Sequence, residues 1–529
     1  MEYRKLEKVT ILGIGGKGSY YVAKFLNMIG VEVTGYDLKE SKNTQDLEKL
    51  GIQIYYRNPE SSEKLQGDFY LYTNDIPQEI QKRIKKENKG VKSYEIGNFY
   101  HQLINDFQEN RMTEDVKKIF LDSNIAPLFK IDCSKMKYIG ITGTDGKTTS
   151  CTMVYHILKN NGFKPALITT VSAKIGDRDI DTGFHTTTPS SQELYELILL
   201  AEKENCTHLI VECTSHGLHQ GRLAGLKFDV VGYTNITQEH LDYHKTWREY
   251  VNAKSLLIRD HLKDNGKVVF NKDDRAYKML KKYTKDHVDY SIKEKADIYA
   301  DDISDCIDEL NFYLYSGNER HKTKVPLLGV YNVSNFLLAF GITKHLGLET
   351  DDIVKSISSF KTVEGRMQII QKEPFMVIVD YAHTPNAIKE VLISSRKLMK
   401  GKIIHVFGSA GHRDQYKRPE MGKWSNELAD VTILTAEDCR QEKLSDINDA
   451  IGEGWRKGKN KKSILYRFDD DSNNVQVRRD AIKKALELAN KGDLVIITGK
   501  AHEKSLCFGQ IEYPWNDIDE VMKLLKINS

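Results

Sequence analysis

Residues 136–149 read Met136-Lys137-Tyr138-Ile139-Gly140-Ile141-Thr142-Gly143-Thr144-Asp145-Gly146-Lys147-Thr148-Thr149. No other feature constrains the fold as much. A short apolar run that breaks into a Gly-x-x-Gly-Lys-Thr turn predicts a strand, and the helix that leaves the turn crosses back over a parallel sheet. Such a turn aims main-chain N–H groups and a helix N-terminus at one point, which suits phosphate oxygens. Gly140 lies one residue too far away for the strict Gly-x4-Gly-Lys pattern. Even so, Lys147 is placed to neutralise phosphate charge and Thr148 to offer its hydroxyl to Mg²⁺.

The same alternation runs through the chain. Strands are predicted at 8–12, 31–36 and 67–73, with helices at 20–28 and 78–86. Further strands are predicted at 165–170, 208–212 and 230–234, then at 375–380, 402–407, 431–435 and 494–498. With 529 residues the chain exceeds one ordinary domain, and about three is the natural number. The fold class is therefore α/β, with three α/β domains in series. Their expected bounds are 1–105, 137–363 and 364–529. Residues 106–136 form a polar linker in which 119–130 reads as helical.

Composition excludes several functions. With 78 basic and 75 acidic residues the net charge is only +3, which gives no electrostatic case for nucleic acid or an anionic membrane. No run approaches the ~20 apolar residues of a membrane helix, and the first residues lack a signal-peptide core. The seven cysteines are odd in number and scattered, with no C-x-x-C pair. That argues against a disulfide framework or a zinc site. A soluble, cytoplasmic protein is expected.

A second glycine motif, Gly13-Ile14-Gly15-Gly16-Lys17-Gly18, follows the first predicted strand, and Asp37 closes the second strand about twenty residues on. Alone this is a dinucleotide-binding signature, and it sustains an alternative reading as an NAD-binding oxidoreductase. No hydride-transfer site is read further along. Glu212, at the end of a predicted strand, falls on the sheet edge where ligands collect, and can serve as a hard oxygen ligand. Lys254 on a helix would ordinarily be a solvated charge, and His240 alone would be little more telling.

Taken in order, these residues resemble the Mur ligases and their folylpolyglutamate synthetase relatives. Gly143-Thr144-Asp145-Gly146-Lys147-Thr148-Thr149 is similar to that family's phosphate loop. Tyr233-Thr234-Asn235-Ile236-Thr237-Gln238-Glu239-His240-Leu241-Asp242-Tyr243-His244, followed by Ala253-Lys254, resembles the MurE-type run, with Glu239 where Asp is usual. The resemblance implies a P-loop central ATPase domain between Rossmann-like first and last domains. It implies two Mg²⁺ sites held by Thr148, Glu212, His240 and a carbamylated Lys254, with Asn235, Asn332, Arg366 and Asp380 on the ATP. Asn332 comes from Gly329-Val330-Tyr331-Asn332-Val333-Ser334-Asn335 and Arg366 from Gly365-Arg366-Met367. Asp380 and His383 come from Asp380-Tyr381-Ala382-His383-Thr384-Pro385.

The remaining resemblances concern the other substrates. The loop 181–189 with Thr187 and Thr188, then Thr214, Gln220 and Arg222, is similar to the segments that hold a UDP-N-acetylmuramoyl moiety. The first domain resembles the MurC type, whose glycine loop (here Gly13, Gly15, Gly16 and Gly18, with Asp37) holds the UDP pyrophosphate. Tyr72-Thr73-Asn74-Asp75-Ile76-Pro77 is loosely similar to a segment of that domain. Arg413, in Gly411-His412-Arg413-Asp414, falls on the arginine that grips the incoming amino acid. Thr435-Ala436-Glu437-Asp438-Cys439-Arg440 falls on the family's Asp-Asn-Pro-Arg selectivity motif, and Gly499-Lys500-Ala501-His502-Glu503 on Gly-Lys-Gly-His-Glu. Asp438 replaces a neutral amide, a change expected to favour an ammonium group over a carboxylate.

The implied activity is ATP-dependent ligation of an amino acid, diaminopimelate or lysine, to a UDP-N-acetylmuramoyl-peptide through an acyl phosphate, in peptidoglycan precursor synthesis. A monomer is expected. Another amino-acid adder of MurC type, or one with a polyglutamyl-like acceptor, is the alternative within the family, and a non-catalytic scaffold is disfavoured because no phosphate-site residue is missing.

Overall fold

In the computed structural model the described residues are 6–59, 65, 67, 69–73, 76–88, 91–109, 111–181, 187–306, 309–398, 400–472 and 474–527. They divide into two compact units. The first comprises Met1–Lys137, Phe184–Glu204 and Thr214–Phe228, and the second the rest.

In the first unit β1 (Lys8–Leu12), β2 (Glu32–Tyr36), β3 (Gln53–Tyr55), β4 (Phe69–Tyr72) and β5 (Lys92–Glu95) form a parallel sheet in the order β3-β2-β1-β4-β5. This is the strand order of a dinucleotide-type fold around a central first strand. The helix Lys17–Met28 packs Val22, Phe25 and Leu26 onto Val9, Ile11 and Val33. Residues 106–136, expected as a linker, are built into this core. The helix Glu114–Asp122 buries Val116 and Phe120, and a 3-10 turn follows at Pro127–Lys130.

The second unit holds two large sheets with separate cores. The first contains β6 (Lys137–Thr142), β7 (Pro165–Ile168), β8 (Ala173–Ile175), β9 (Arg178–Ile180), β10 (His208–Glu212), β11 (Phe228–Tyr233), β12 (Leu262–Asn271), β13 (His287–Ser291), β14 (Ile298–Asp305), β15 (Leu310–Ser316) and β16 (Glu319–Val325). Their order is β16-β15-β14-β13-β12-β11-β6-β10-β7-β8-β9. β6 pairs in parallel with β11, and β10 with β7, while β14 to β16 form an antiparallel extension. The helix Tyr331–His345 is apolar on nearly every side and is buried against this sheet; a Cβ on Gly232 would meet its Leu338 at 2.8 Å.

The second sheet contains β17 (Gln368–Gln371), β18 (Met376–Asp380), β19 (Ile403–Phe407), β20 (Val431–Leu434), β21 (Ile464–Arg467) and β22 (Leu494–Thr498), ordered β17-β18-β22-β19-β20-β21. All but β17 run parallel. β23 (Ser505–Phe508) and β24 (Ile511–Pro514) form a hairpin. The strands β18, β19, β20 and β22 are buried throughout and read as continuous apolar runs, as strands covered on both faces do.

Candidate functional site

The central loop leaves β6 and opens the helix Lys147–Asn160. Two of its glycines are sterically required. A Cβ on Gly143 would lie 1.7 Å from the Thr234 hydroxyl oxygen. Gly146 has a left-handed φ of +81°, and its Cβ would lie 2.2 Å from Asn335 Oδ1. Asn335 is thus a loop-supporting residue that the sequence reading quoted but gave no role. The loop is further fixed by Thr144 N–H donating to Asn235 O (2.6 Å) and Asp145 N–H to Asn235 Oδ1 (3.0 Å). Lys147 Nζ donates to Thr144 O at 2.8 Å and stands 4.0 Å from Glu212 Oε1. Thr149 is buried in the first turn of the helix.

Glu212 ends β10 and is buried. Its Oε2 accepts from Thr148 Oγ1 (2.9 Å), Thr170 N–H (3.1 Å) and Thr170 Oγ1 (3.2 Å). A threonine hydroxyl and a carboxylate oxygen side by side, next to a phosphate loop, are hard oxygen donors of the kind Mg²⁺ takes. Among the described residues no group of three or more His, Cys, Asp or Glu could hold a metal ion. A hydroxyl and a carboxylate oxygen are two donors, as suits a cation that takes its other ligands from phosphate and water.

Lys254, on the helix Trp247–Arg259, is 1% exposed. Its amine donates to Gly143 O at 2.7 Å and lies 4.6 Å from the centre of the Tyr250 ring. Burial, and then the charge of Lys147, hold its pKa well below the ordinary lysine value. The His240 ring is 6.1 Å from the same tyrosine. The protein around His240 lowers its pKa to about 4, outweighing the opposite pull of Glu239. Glu239 is buried, with Oε2 3.6 Å from His240 Nε2 and Oε1 3.3 Å from His383 Nε2. Burial alone would raise its pKa; the two histidines reverse that and keep it a carboxylate. For His383 burial lowers the pKa, but the bond to Glu239 prevails and raises it.

Arg366 donates from Nη2 to Thr148 Oγ1 at 3.3 Å, and its guanidinium lies 4.4 Å from the centre of the Tyr381 ring. Asp380 and Asn332, expected beside the nucleotide, make main-chain contacts here. Asp380 accepts from Met367 N–H and Ala382 N–H, both at 2.7 Å, and Asn332 Nδ2 donates to Leu328 O at 2.7 Å. The sequence reading passed over Asn271 and Asp274, which line a small cavity with Asn235, Tyr233, Phe270 and Tyr277. Asn271 Nδ2 donates to Thr234 O (2.7 Å), and Asp274 Oδ2 accepts from Ile236 N–H (2.9 Å). Their signal, Asn271-Lys272-Asp273-Asp274 after a strand, is indistinguishable in sequence from an ordinary turn.

The C-terminal ends of β18, β19, β20 and β22 gather the rest. Lys500, 1% exposed, bonds Asp438 Oδ1 at 2.7 Å and Glu503 Oε2 at 2.5 Å. Cys507 N–H donates to the same Asp438 oxygen (3.0 Å), and Tyr381 OH to Glu503 Oε1 (3.0 Å). Burial lowers the Lys500 pKa, but the two carboxylates outweigh it and raise it. The negative charge Asp438 adds is thus met inside the protein by Lys500, which removes the simple argument that it faces a ligand ammonium. Arg440 takes a positive φ of +50° and donates to Gly411 O at 2.7 Å. A Cβ on Gly499 would lie 2.8 Å from Glu437 Oε2. Arg413 is exposed on the loop after β19.

In the first unit, Gly13 N–H donates to Tyr36 O (2.8 Å), Gly16 N–H to Gly13 O (3.2 Å) and Gly15 N–H to Asp37 Oδ2 (2.8 Å). Gly18 has open space where a Cβ would stand. Thr188, Thr214 and Arg222 come together: the two hydroxyls are 2.9 Å apart, and Arg222 Nη1 donates to Thr188 O at 2.7 Å. Thr187 precedes them, and Gln220 follows the short helix Ser215–His219. Residues 182–186 of the threonine-rich loop, and Asn74 and Asp75, lie outside the described residues.

A phosphate loop with a Thr–Glu oxygen pair beside it, reached by an arginine from the bend leading into a second sheet whose parallel strand ends carry arginines and carboxylates, defines a modular nucleotide-dependent enzyme. Comparison with known proteins makes the class specific. The family models for the Mur ligase middle domain match residues 141–343, those for the Mur ligase glutamate ligase domain 365–501, and those for the Mur ligase family catalytic domain 8–108. The UDP-N-acetylmuramoyl-L-alanyl-D-glutamate–2,6-diaminopimelate ligase 1 of Clostridium acetobutylicum is 33% identical over 396 residues, 74% of this chain and 78% of that protein. A solved structure of a UDP-N-acetylmuramoyl-L-alanyl-D-glutamate–2,6-diaminopimelate ligase superposes with a TM-score of 0.53 at 25% identity, covering 88% of this chain and 94% of that one. A pseudomurein peptide ligase type C from Methanothermus fervidus shares the fold over 98% of this chain and 99% of its own, with a TM-score of 0.56 at 18% identity. The chain belongs to the Mur ligase family, and its activity is that of the family, ATP-dependent formation of an amide bond.

Proposed function

We propose that this protein joins a diamino acid, diaminopimelate or lysine, to the D-glutamyl carboxylate of UDP-N-acetylmuramoyl-L-alanyl-D-glutamate in peptidoglycan precursor synthesis. The observation that carries the reading is the junction at Thr148. Its hydroxyl lies 2.9 Å from Glu212 in the central sheet and 3.3 Å from Arg366 of the C-terminal segment, so groups read as serving the ATP phosphates come from both segments and meet at one point.

Lys147 and the loop amides hold the ATP phosphates. The acceptor carboxylate attacks the γ-phosphorus, the bond to the ADP oxygen breaks, and Arg366 and Lys147 spread the charge on the transferring group. The incoming amine, oriented by Arg413, Arg440 and Glu503, then attacks the acyl carbon. The C–N bond forms, phosphate leaves, and the amine gives up its proton. Mg²⁺ would supply charge neutralisation in such a transfer; Thr148 and Glu212 would hold one ion, and His240 and Lys254 would serve a second. Lys254, whose buried amine has no ion-pair partner among the described residues, is the group read as carbamylated: addition of CO₂ with loss of a proton would turn it into an oxygen donor.

The first domain, residues 1–105, binds the UDP end through Gly13, Gly15, Gly16, Gly18 and Asp37. Thr187, Thr188, Thr214, Gln220 and Arg222 continue that site. Residues 106–136, packed into the same core, lead to the ATP-binding domain, 137–363, and residues 364–529 take the amino acid, with His383 at its edge. Among the described residues no helix is long and apolar enough to cross a membrane; that the enzyme is a monomer of the cytoplasm is part of the proposal.

The test is phosphate release from ATP with UDP-N-acetylmuramoyl-L-alanyl-D-glutamate and diaminopimelate, lysine, ornithine or alanine in turn. Release that needs both the acceptor and one diamino acid is the expected result. Release with alanine and UDP-N-acetylmuramate instead would overturn the assignment of acceptor.

A further inference from the structure

We propose that Asp145 is a positioning residue that ties the phosphate loop to the C-terminal sheet and does not itself contact the nucleotide. Its two carboxylate oxygens are both used across that junction: Oδ1 accepts from Thr384 Oγ1 at 3.1 Å and Oδ2 from Asn386 Nδ2 at 2.9 Å. Its main chain is clamped by Asn235, whose Oδ1 accepts Asp145 N–H and whose Nδ2 donates to Asp145 O at 3.2 Å. Thr384, 1% exposed, also accepts Ala387 N–H at 3.0 Å, at the start of the helix Pro385–Leu398. The carboxylate therefore rests at a helix N-terminus, where negative charge is favoured.

A carboxylate in a phosphate loop is otherwise a liability, because turned toward the phosphates it would repel them. Turned the other way, it registers the loop against the strap 381–386. The same strap carries His383 to within 3.3 Å of Glu239, and Arg366 reaches Thr148 from the bend that precedes β17. Asp145 thus sets the distance between the loop that holds ATP and the sheet that presents the amine. The inference rests on the ligase chemistry of the family and not on which amino acid is added.

The test uses the full-length enzyme and the variants Asn386→Asp, Asp145→Asn and the exchanged pair. Asn386→Asp sets two carboxylates against each other and is expected to lower kcat ~30-fold with the KM for ATP changed less than about 2-fold. Adding Asp145→Asn restores the donor–acceptor match, and kcat is expected to return to within about 3-fold of the parent. Small-angle scattering with a non-hydrolysable ATP analogue supplies a readout that needs no acceptor. Asn386→Asp should enlarge the radius of gyration and the exchanged pair should reverse it. Additive losses with no rescue, or an Asn386→Asp enzyme with parental kcat and radius, would overturn the proposal. Phosphate release absent from the parent enzyme, with the scattering rescue intact, would instead count against the proposed acceptor.

Discussion

The chain contains two strand–glycine loop–helix junctions that look alike on paper and differ in the protein. The loop at Gly13–Gly18 is closed over its first half, where Thr73 crowds Gly13, Thr44 crowds Gly15 and Asn43 Nδ2 donates to Gly15 O, and is open at Gly18. Its carboxylate partner, Asp37, comes from the next strand, and Gly18 could carry a side chain without touching anything within 4 Å. The loop at Gly143–Gly146 is crowded from every direction: Thr234 against Gly143, Asn335 against Gly146, Asn235 on the main chain, and Thr384 and Asn386 on Asp145. A glycine motif specifies a turn, but the number of independent elements that close on the turn decides how rigidly it presents its N–H groups. Electrostatic preorganisation of the kind phosphoryl transfer needs depends on that rigidity.

The contrast is open to direct attack. Removing the charge of the second loop with Lys147→Ala should lower ATP-dependent product formation by ~10²–10³-fold or more, measured as phosphate release at saturating substrates. A loss under tenfold would place the phosphate charge elsewhere. Gly146→Ala should follow at ~10²-fold, because it adds a strained positive φ to a collision with Asn335; calorimetric titration with ADP should show the binding weakened in step.

In the first loop, Asp37→Ala removes the acceptor for Gly15 N–H and should cost about 1.5–3 kcal/mol in urea unfolding, with ADP affinity unchanged. A change in ADP affinity would mean that the two loops are not independent.

The sheet that receives Asp145 adds a pH test. His405 is buried between Ser425 and Thr498, and burial lowers its pKa to about 3. The unfolded chain binds this proton near pH 6.5 and the folded protein only near pH 3, so stability falls as the pH drops through that interval, by about 1.4 kcal/mol per pH unit. His405→Gln should flatten that part of the stability profile; an unchanged slope would show that other groups set it. The smallest effect is expected for Gly18→Ala, which should stabilise the helix Lys17–Met28 by about 0.5–1 kcal/mol. Destabilisation would reveal a close approach at that position.

Much of this was legible in the sequence because the signals were local. The strands at 8–12, 208–212 and 494–498 fall where the apolar runs put them, and Thr148 meets Glu212 as a phosphate loop beside a strand end requires. What escaped the sequence depends on partners far away in the chain. The antiparallel extension β14–β16 has strands such as Glu319–Val325 in which charge outweighs apolar content, so their pairing carries the structure and not their composition. Residues 106–136 look like a polar connection, yet Met112, Val116, Phe120 and Ile125 anchor them in the first core. The meaning of Asp438 changed for the same reason: the residue that neutralises it, Lys500, is sixty-two positions away.

The most direct measurement of the central claim, activation of a carboxylate on the crowded loop, is to follow ¹⁸O from the labelled D-glutamyl carboxylate of the acceptor during turnover with ATP and the preferred diamino acid. Transfer through an acyl phosphate predicts one ¹⁸O atom in each phosphate released. Phosphate free of label, with amide still formed, would contradict the account.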